Sequence, residues 1–232
     1  TSIIDMVGDN TDHAANKEVV GDITFAGGSE VVVRRSTGFG AELVTSNLIR
    51  SGTGTLMLRH DAALLGVAGS VNTDRFIVTN GMTLTNNMVD PWIISRSENQ
   101  FLKYDVTLGF QPITQGGAPA NYITSAGGTL TMPLNDGSEI LNLNTATATL
   151  GANLDVYALR VDRDINVSAD GTASRIIIRS GGVVQAANTP TINADLYFGA
   201  AGDGTGEALI WATNNTLQFN GKIFATEVTK SG

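Results

Sequence analysis

The two histidines of the chain each stand near acidic residues, as metal binding or hydrolysis would require. His13 follows Asp12 and precedes Glu18, and His60 is followed by Asp61. A metal site needs several convergent ligands, and a catalytic triad needs an oriented base. Two separate histidines provide neither. We therefore interpret them as solvated turn residues, and we predict no enzyme and no catalytic, cofactor-binding or metal-ligating residue.

A pair of carboxylates is the second candidate, because glycoside hydrolysis uses two of them. Asp162 and Asp164 are two residues apart, which places them on one face of a strand, and Asp155 falls on a neighbouring face. Arg160 and Arg163 would neutralise these acids on an exposed sheet. We favour that interpretation. The alternative is a carbohydrate-binding or carbohydrate-cleaving β-helix of the tailspike or polysaccharide lyase type.

The glycine-rich segment Ala200–Ala208 is a third candidate. No Gly-Lys-Ser/Thr follows it, so it is not a phosphate-binding loop. We interpret it as a flexible corner loop, with a Ca²⁺ ion at Asp203 and Glu207 as the alternative.

Four aromatic residues in the middle of the chain could form an exposed platform for surface glycans or a partner. The favoured interpretation is that they pack as the core of a long loop. They are Trp92, Phe101, Tyr104 and Phe110.

Composition excludes several classes of function. The net charge of −8 argues against nucleic acid and anionic membranes as partners, since both require clustered Lys and Arg. No stretch approaches the roughly 18 apolar residues of a membrane helix. The chain has no Cys, which rules out disulfides and Cys-ligated metals. The 27 Gly, with abundant Thr and Asn, favour strands and turns over helices.

Short runs rich in Val, Ile, Leu and Thr dominate the chain, a pattern typical of β-strands. In the segment 154–167 the alternation changes phase near Leu159, which predicts a corner between two strands. Asn80-Gly81 and Asn220-Gly221 lie at strand boundaries, where both residue types tolerate a positive φ.

Variants of one phrase recur at intervals of roughly 20–25 residues, which is the length of one coil of a parallel β-helix. We therefore predict an all-β solenoid of roughly ten coils. Inward apolar side chains and corner Asn residues should stack from coil to coil. Residues 74–114 are less repetitive, and we expect a protruding loop there at about Ser95–Tyr104. The alternative all-β sandwich lectin requires mainly antiparallel pairing.

The segment Asn47–His60 resembles the autotransporter-associated β-strand repeat of bacterial surface proteins. That resemblance implies a right-handed parallel β-helix outside the cell, in a passenger or fibre. Val228–Gly232 looks like the opening of a second copy. The repeat pattern, with Arg for Lys, is carried by Leu48, Arg50, Gly52, Gly54, Leu56 and Leu58.

The two ends of the chain suggest assembly. We expect residues 1–232 to form a single β-solenoid domain, as part of a longer chain or as one unit of a head-to-tail array. Joining Gly232 to Thr1 partly restores the repeated phrase. The predicted partners are therefore end-to-end copies or tandem copies of the chain itself, since heterologous contacts of this kind give open filaments.

Overall fold

The computed structural model describes residues 2–8, 16–35, 40–61, 65–67, 73–213 and 215–232. Within these ranges every regular element is a β-strand and no helix occurs, which confirms the predicted all-β class. The chain divides into two compact units, Thr1–Gly117 (unit 1) and Ala118–Gly232 (unit 2).

Most strands described in unit 1 belong to three parallel sheets. The first sheet has the order β1-β4-β7-β9, the second β2-β5-β8 and the third β3-β6, and β10 and β11 form an antiparallel hairpin. The strand bounds are β1 Ser2–Val7, β2 Lys17–Val19, β3 Ile23–Phe25, β4 Gly28–Arg34, β5 Glu42–Thr45, β6 Leu48–Arg50, β7 Thr55–His60, β8 Arg75–Val78, β9 Ile93–Ser95, β10 Leu102–Asp105 and β11 Gly109–Pro112.

Unit 2 also contains three sheets, and every pairing between its described strands is parallel. The first sheet has the order β12-β14-β17-β20-β23-β26, the second β13-β15-β18-β21-β24 and the third β16-β19-β22-β25. The strand bounds are β12 Tyr122–Ser125, β13 Gly128–Leu130, β14 Ile140–Leu143, β15 Ala148–Leu150, β16 Leu154–Val156, β17 Ala158–Val161, β18 Ile165–Asn166, β19 Arg175–Ile178, β20 Gly182–Gln185, β21 Thr191–Ile192, β22 Asp195–Phe198, β23 Glu207–Ala212, β24 Gln218–Phe219, β25 Ile223–Phe224 and β26 Glu227–Ser231.

In both units, successive strands along the chain belong to the three sheets in a repeating order. From β14 onward, successive strands of unit 2 enter the first, second and third sheets in turn, and β1 to β8 do the same in unit 1. Strands joined by such crossovers pair in parallel. The mainly antiparallel pairing of a sandwich lectin is not found among the described strands.

Inward-facing side chains form apolar rows that run across the sheets, as the sequence predicts. In unit 1, Val31 pairs in register with Leu58, and both belong to the buried core. The third sheet of unit 2 carries a row of four, formed by Leu154, Ile176, Leu196 and Ile223. Fully burying one such side chain contributes roughly 1.5–3 kcal/mol, so these rows are the main source of stability.

The predicted corner in segment 154–167 is confirmed. The break falls at Tyr157, between β16 in the third sheet and β17 in the first. Hydrogen-bonded side chains in adjacent strands or corners of unit 2 are 18 to 27 residues apart, a wider range than the sequence predicts.

The segment predicted as a protruding loop forms a turn and part of the β10–β11 hairpin. Ser95 and Gln100 make an antiparallel bridge, and Phe101 and Leu102 are fully buried. The exposed part lies just beyond the predicted loop, at the hairpin tip, where Val106 is 74% exposed.

Candidate functional site

His60 is buried, so its interpretation as a solvated turn residue is wrong. It ends β7, its side chain is 3% exposed, and its Nε2 lies 2.7 Å from Oε1 of Glu98. The Ser95 hydroxyl donates to the other oxygen of the same carboxylate. His60 is buried because the turn after β9 brings Glu98 onto the end of β7.

The hydrogen bonds at Glu98 determine its charge. Burial raises the pKa of this carboxyl, but the hydrogen bonds from His60 and Ser95 lower it by more, so the pKa lies below its usual range. The resulting carboxylate holds the turn against β7. A nucleophilic serine would instead donate to an imidazole that acts as its base. This arrangement supports a structural role for the cluster.

The acids near the other histidine do not form a site in the described residues. His13 and Asp12 lie outside the described residues, and Glu18 lies exposed in β2. In the part of the chain that the structure describes, no group of three or more His, Asp or Glu side chains could hold a metal ion.

Asp162 and Asp164 border a shallow cavity of about 330 Å³ at the corner between β17 and β18. Oδ1 of Asp162 accepts hydrogen bonds from the backbone nitrogen (2.5 Å) and Nδ2 (2.7 Å) of Asn188. Oδ1 of Asp164 accepts one from the backbone nitrogen of Thr191 at 2.7 Å. Both side chains therefore fasten one corner to the next by accepting hydrogen bonds.

Asp155 is neutralised by a residue that the sequence did not indicate. Arg179 donates to it through Nε and Nη2, at 2.8 and 2.5 Å. Arg163 lies 3.6 Å from Asp162, as predicted, whereas Arg160 donates to Oδ1 of Asn142. The guanidinium of Arg179 therefore fastens β19 to β16, its parallel neighbour.

The two residues of the alternative Ca²⁺ site have other partners. Asp203 accepts hydrogen bonds from the hydroxyl and the backbone nitrogen of Thr205, which lower its pKa. Glu207 accepts a hydrogen bond from the Thr229 hydroxyl at 2.7 Å. Each carboxylate thus stabilises local backbone or strand pairing.

The glycine-rich loop packs closely on the outer face of the third sheet. A Cβ atom on Gly202 would lie 3.0 Å from Ile177, and one on Gly204 would lie 2.7 Å from Phe224. Both glycines also have a positive φ. Glycine is therefore needed here both for close packing and for backbone conformation.

The four central aromatics pack into the fold, as predicted. Phe101 and Phe110 are fully buried. The ring centroid of Phe110 lies 5.0 Å from that of Tyr104, and Trp92 lies 5.3 Å from Phe25. These distances are typical of aromatic core contacts.

A stacked aromatic pair on the outer face of unit 2 was missed from the sequence. The rings of Tyr197 and Phe224 lie 4.2 Å apart and nearly parallel, and Arg175 lies 5.3 Å from the Tyr197 centroid. Alternation in β22 already places Tyr197 opposite to the inward residues Leu196 and Phe198. The contact between the two rings could have been predicted from the sequence only by aligning β22 with β25.

Asn side chains form a hydrogen-bonded row at the corner where the chain passes from the second to the third sheet of unit 2. Asn220 donates through Nδ2 to Oδ1 of Asn193, and Asn193 donates in the same way to Asn166, both at 2.8 Å. This corner ladder confirms the predicted stacking of Asn residues. Its donors all point towards the N-terminal rung.

Unit 1 has the same ladder at the equivalent corner. Asn80 donates to Oδ1 of Asn47 at 2.8 Å, and Asn47 donates to Oδ1 of Asp22 at 2.7 Å. The direction is the same as in unit 2. Only the first rung differs, because it is a carboxylate.

One sheet edge in each unit leaves part of the apolar core of that unit open. A cavity of about 370 Å³ borders β1 and β2, and its lining includes Ile4 and Glu18. One of about 380 Å³ borders β24, β25 and β26, and its lining includes Val228 and Lys230. Such edges can pair with further strands.

The phrase that carries the family resemblance forms a corner between the third and first sheets. Nε of Arg50 donates to the carbonyl oxygen of Gly54 at 2.7 Å, and Gly52 has a φ of 58°. Val228–Gly232, the apparent second copy, lies instead in or just after a strand of the first sheet. The two phrases therefore occupy different positions in the rotation of sheets.

Among the described residues, the structure contains no helix of the length and apolarity needed to cross a membrane. The chain matches no protein-family model, no curated protein and no solved structure.

Proposed function

We propose that the chain is a non-catalytic structural or adhesive protein built as a right-handed parallel β-solenoid. It acts outside the cell as part of a surface stalk, sheath or fibre. The observation that carries the proposal is the rotation of strands through three parallel sheets, with apolar rows and corner amide ladders continuing across successive strands. Stacks of this kind are quasi-one-dimensional and stable through nearest-neighbour contacts.

The open edges support association of the chain with copies of itself, end to end or in tandem. Ile3 and Val19 at one edge are 60% and 64% exposed, and Val228 at the other is 53% exposed. Exposed strand edges with apolar side chains favour pairing with another chain. Head-to-tail contacts of this kind produce open filaments.

The resemblance to autotransporter-associated repeats supports an extracellular or cell-surface location. In this proposal Leu56 and Leu58 supply the apolar row, because both are buried, and Arg50 closes the corner that leads to them. The protein needs no cofactor in this role. Surface glycans are its candidate adhesive partners.

The first test is the mass of the purified chain by sedimentation over a wide range of concentrations. We expect the mass to rise above 24.2 kDa with concentration, and electron microscopy to show filaments. The variant Val228→Lys should reduce association, because it places a charge on an apolar edge. Val106→Lys is the matched control, since Val106 is an exposed apolar residue on the tip of the β10–β11 hairpin.

A mass of 24.2 kDa at every concentration would overturn end-to-end association. A separate assay with acidic and neutral polysaccharides addresses the alternative function. Cleavage that Asp162→Asn abolishes without loss of fold would establish the carbohydrate-cleaving β-helix instead.

A further inference from the structure

The edge of unit 1 formed by β2 and β3 differs chemically from the interior of the same sheets. Asp22 occupies the corner position that Asn47 and Asn80 occupy further along. Glu18 pairs in register with Leu43, which in turn pairs with Phe76, so it occupies an inward-facing row. Both rows therefore end in a carboxylate.

The carboxylate of Asp22 ends the corner ladder because it has no donor. In each ladder the middle rung, Asn47 or Asn193, accepts a hydrogen bond on one side and donates one on the other. An ionised Asp can only accept. No rung placed before Asp22 can receive a hydrogen bond from it.

The edge of unit 2 formed by β24 and β25 presents an acceptor at the equivalent corner. Nδ2 of Asn220 is used in its bond to Asn193, so its Oδ1 faces the open side. Suppose that a second copy joins this edge and continues the second and third sheets. Its Asp22 would then be the next rung of the corner ladder after Asn220 of the first copy. In that joint β26 would take the place beside β4 that β1 of the incoming copy holds in the single chain. The corner would then bring a carbonyl oxygen against a carboxylate.

The inward rows at both edges also carry charges. Lys230 pairs in register with Ile210, a residue of the buried core, and lines the apolar cavity at that edge. Glu18 lines the cavity at the other edge. Inward-pointing charges at sheet edges are a known means of preventing unwanted strand addition, because joining buries them.

We propose that Asp22 and Glu18 form a barrier to end-to-end addition of a second copy, so that self-association is restricted at this edge. This inference rests on the proposed function and adds its regulation. Replacing Asp22 with Asn restores the missing donor, and replacing Glu18 with Leu continues the apolar row. Either change makes the addition of a second copy at this edge more favourable.

The test is sedimentation of the full chain carrying Asp22→Asn, Glu18→Leu or both, with circular dichroism to check folding. We expect each single variant to associate at a roughly ten-fold lower concentration than wild type, equivalent to about 1.4 kcal/mol. Asp90→Asn removes the same charge at an exposed site of unit 1 that lies outside β1, β2 and β3. This control should behave as wild type.

The barrier is overturned if Asp22→Asn and Glu18→Leu associate at the wild-type concentration. If wild type associates and the variants do so no better, the barrier fails while the proposed self-association stands. If wild type stays monomeric and the variants associate, the barrier stands while self-association of the wild-type chain fails. Monomers throughout would overturn both.

Discussion

Units 1 and 2 share the rotation through three sheets and the corner ladder, yet they differ in regularity. The rungs of unit 2 are 27 and 27 residues apart, whereas those of unit 1 are 25 and 33 residues apart. The same amide contact, at 2.7–2.8 Å, is kept in each case. The side chains at the corners and in the inward rows therefore determine the stacking. The additional residues between rungs lie in the connections between strands.

The units also differ in how side chains fasten neighbouring strands. Unit 2 uses contacts between adjacent corners, such as Asp162 with Asn188 and Asp155 with Arg179. Unit 1 adds an antiparallel hairpin and the partly buried pair of His60 and Glu98. Substitutions matched between the units can test whether these differences matter for stability.

The largest expected loss of stability comes from substitutions in the inward apolar rows, and it should be similar in the two units. Leu196→Ala in unit 2 and Leu58→Ala in unit 1 each remove a fully buried side chain from an inward row. We expect each to lower the free energy of unfolding by about 2–5 kcal/mol in urea titrations. Val106→Ala, at an exposed tip, should change it by less than about 0.5 kcal/mol. A loss at Leu196 no greater than that control would show that the rows do not hold the units together.

The ladder of unit 2 should be more sensitive to an acidic residue than that of unit 1. Asn193→Asp removes the donor to Asn166 and places a carboxylate against its carbonyl oxygen. We expect a loss of about 1–2 kcal/mol in the free energy of unfolding, because the site is half-buried. Wild-type stability for this variant would contradict the direction of the ladder.

The pair of His60 and Glu98 should give unit 1 an acid-dependent stability. The folded pKa of Glu98 lies below its unfolded value of about 4.3, so the ionised form stabilises the fold above that pH. This contribution is lost as the pH falls through the folded pKa. Glu98→Gln should therefore lower stability at pH 7 by about 1 kcal/mol, a hydrogen-bond contribution reduced by partial exposure.

The measurement for that variant is chemical unfolding at several pH values. The difference between Glu98→Gln and wild type should vanish at low pH. Glu227→Gln, at an exposed position of unit 2, should show little difference at any pH. A Glu98→Gln difference that is independent of pH would contradict the assignment.

The smallest expected effect is that of Asp22→Asn on a single copy. An Asn at this rung still accepts the hydrogen bond from Asn47, so the free energy of unfolding should change by less than about 0.5 kcal/mol. Urea unfolding at a concentration where the variant is monomeric checks this. A loss comparable to that of Asn193→Asp would show that the carboxylate itself stabilises unit 1.

Local patterns in the sequence predicted the features that depend on one strand at a time. Alternation identified the strands and the break near Leu159, which the structure places at Tyr157. Asn residues next to turns indicated the corner ladders, and the aromatic cluster at Phe101 and Phe110 was assigned to the core. In each case the decisive information lies within a few neighbouring residues.

Features that depend on the register between strands could not be predicted in this way. The partner of His60 is 38 residues away, and that of Asp155 is 24 residues away. Because the spacing between paired strands varies, no fixed period in the sequence identifies these partners. The same variation hid the contact between Tyr197 and Phe224.

The common direction of the corner amides also has an electrostatic consequence. Each rung contributes a dipole with its N–H end towards the N-terminal side, so the rungs add along the row as peptide units do in a helix. Negative charge is favoured at the N–H end of such a row. Asp22 stands at that end of the unit 1 row formed with Asn47 and Asn80, and its carboxylate accepts the last hydrogen bond of the row. The equivalent end of unit 2, at Asn166, carries no such charge.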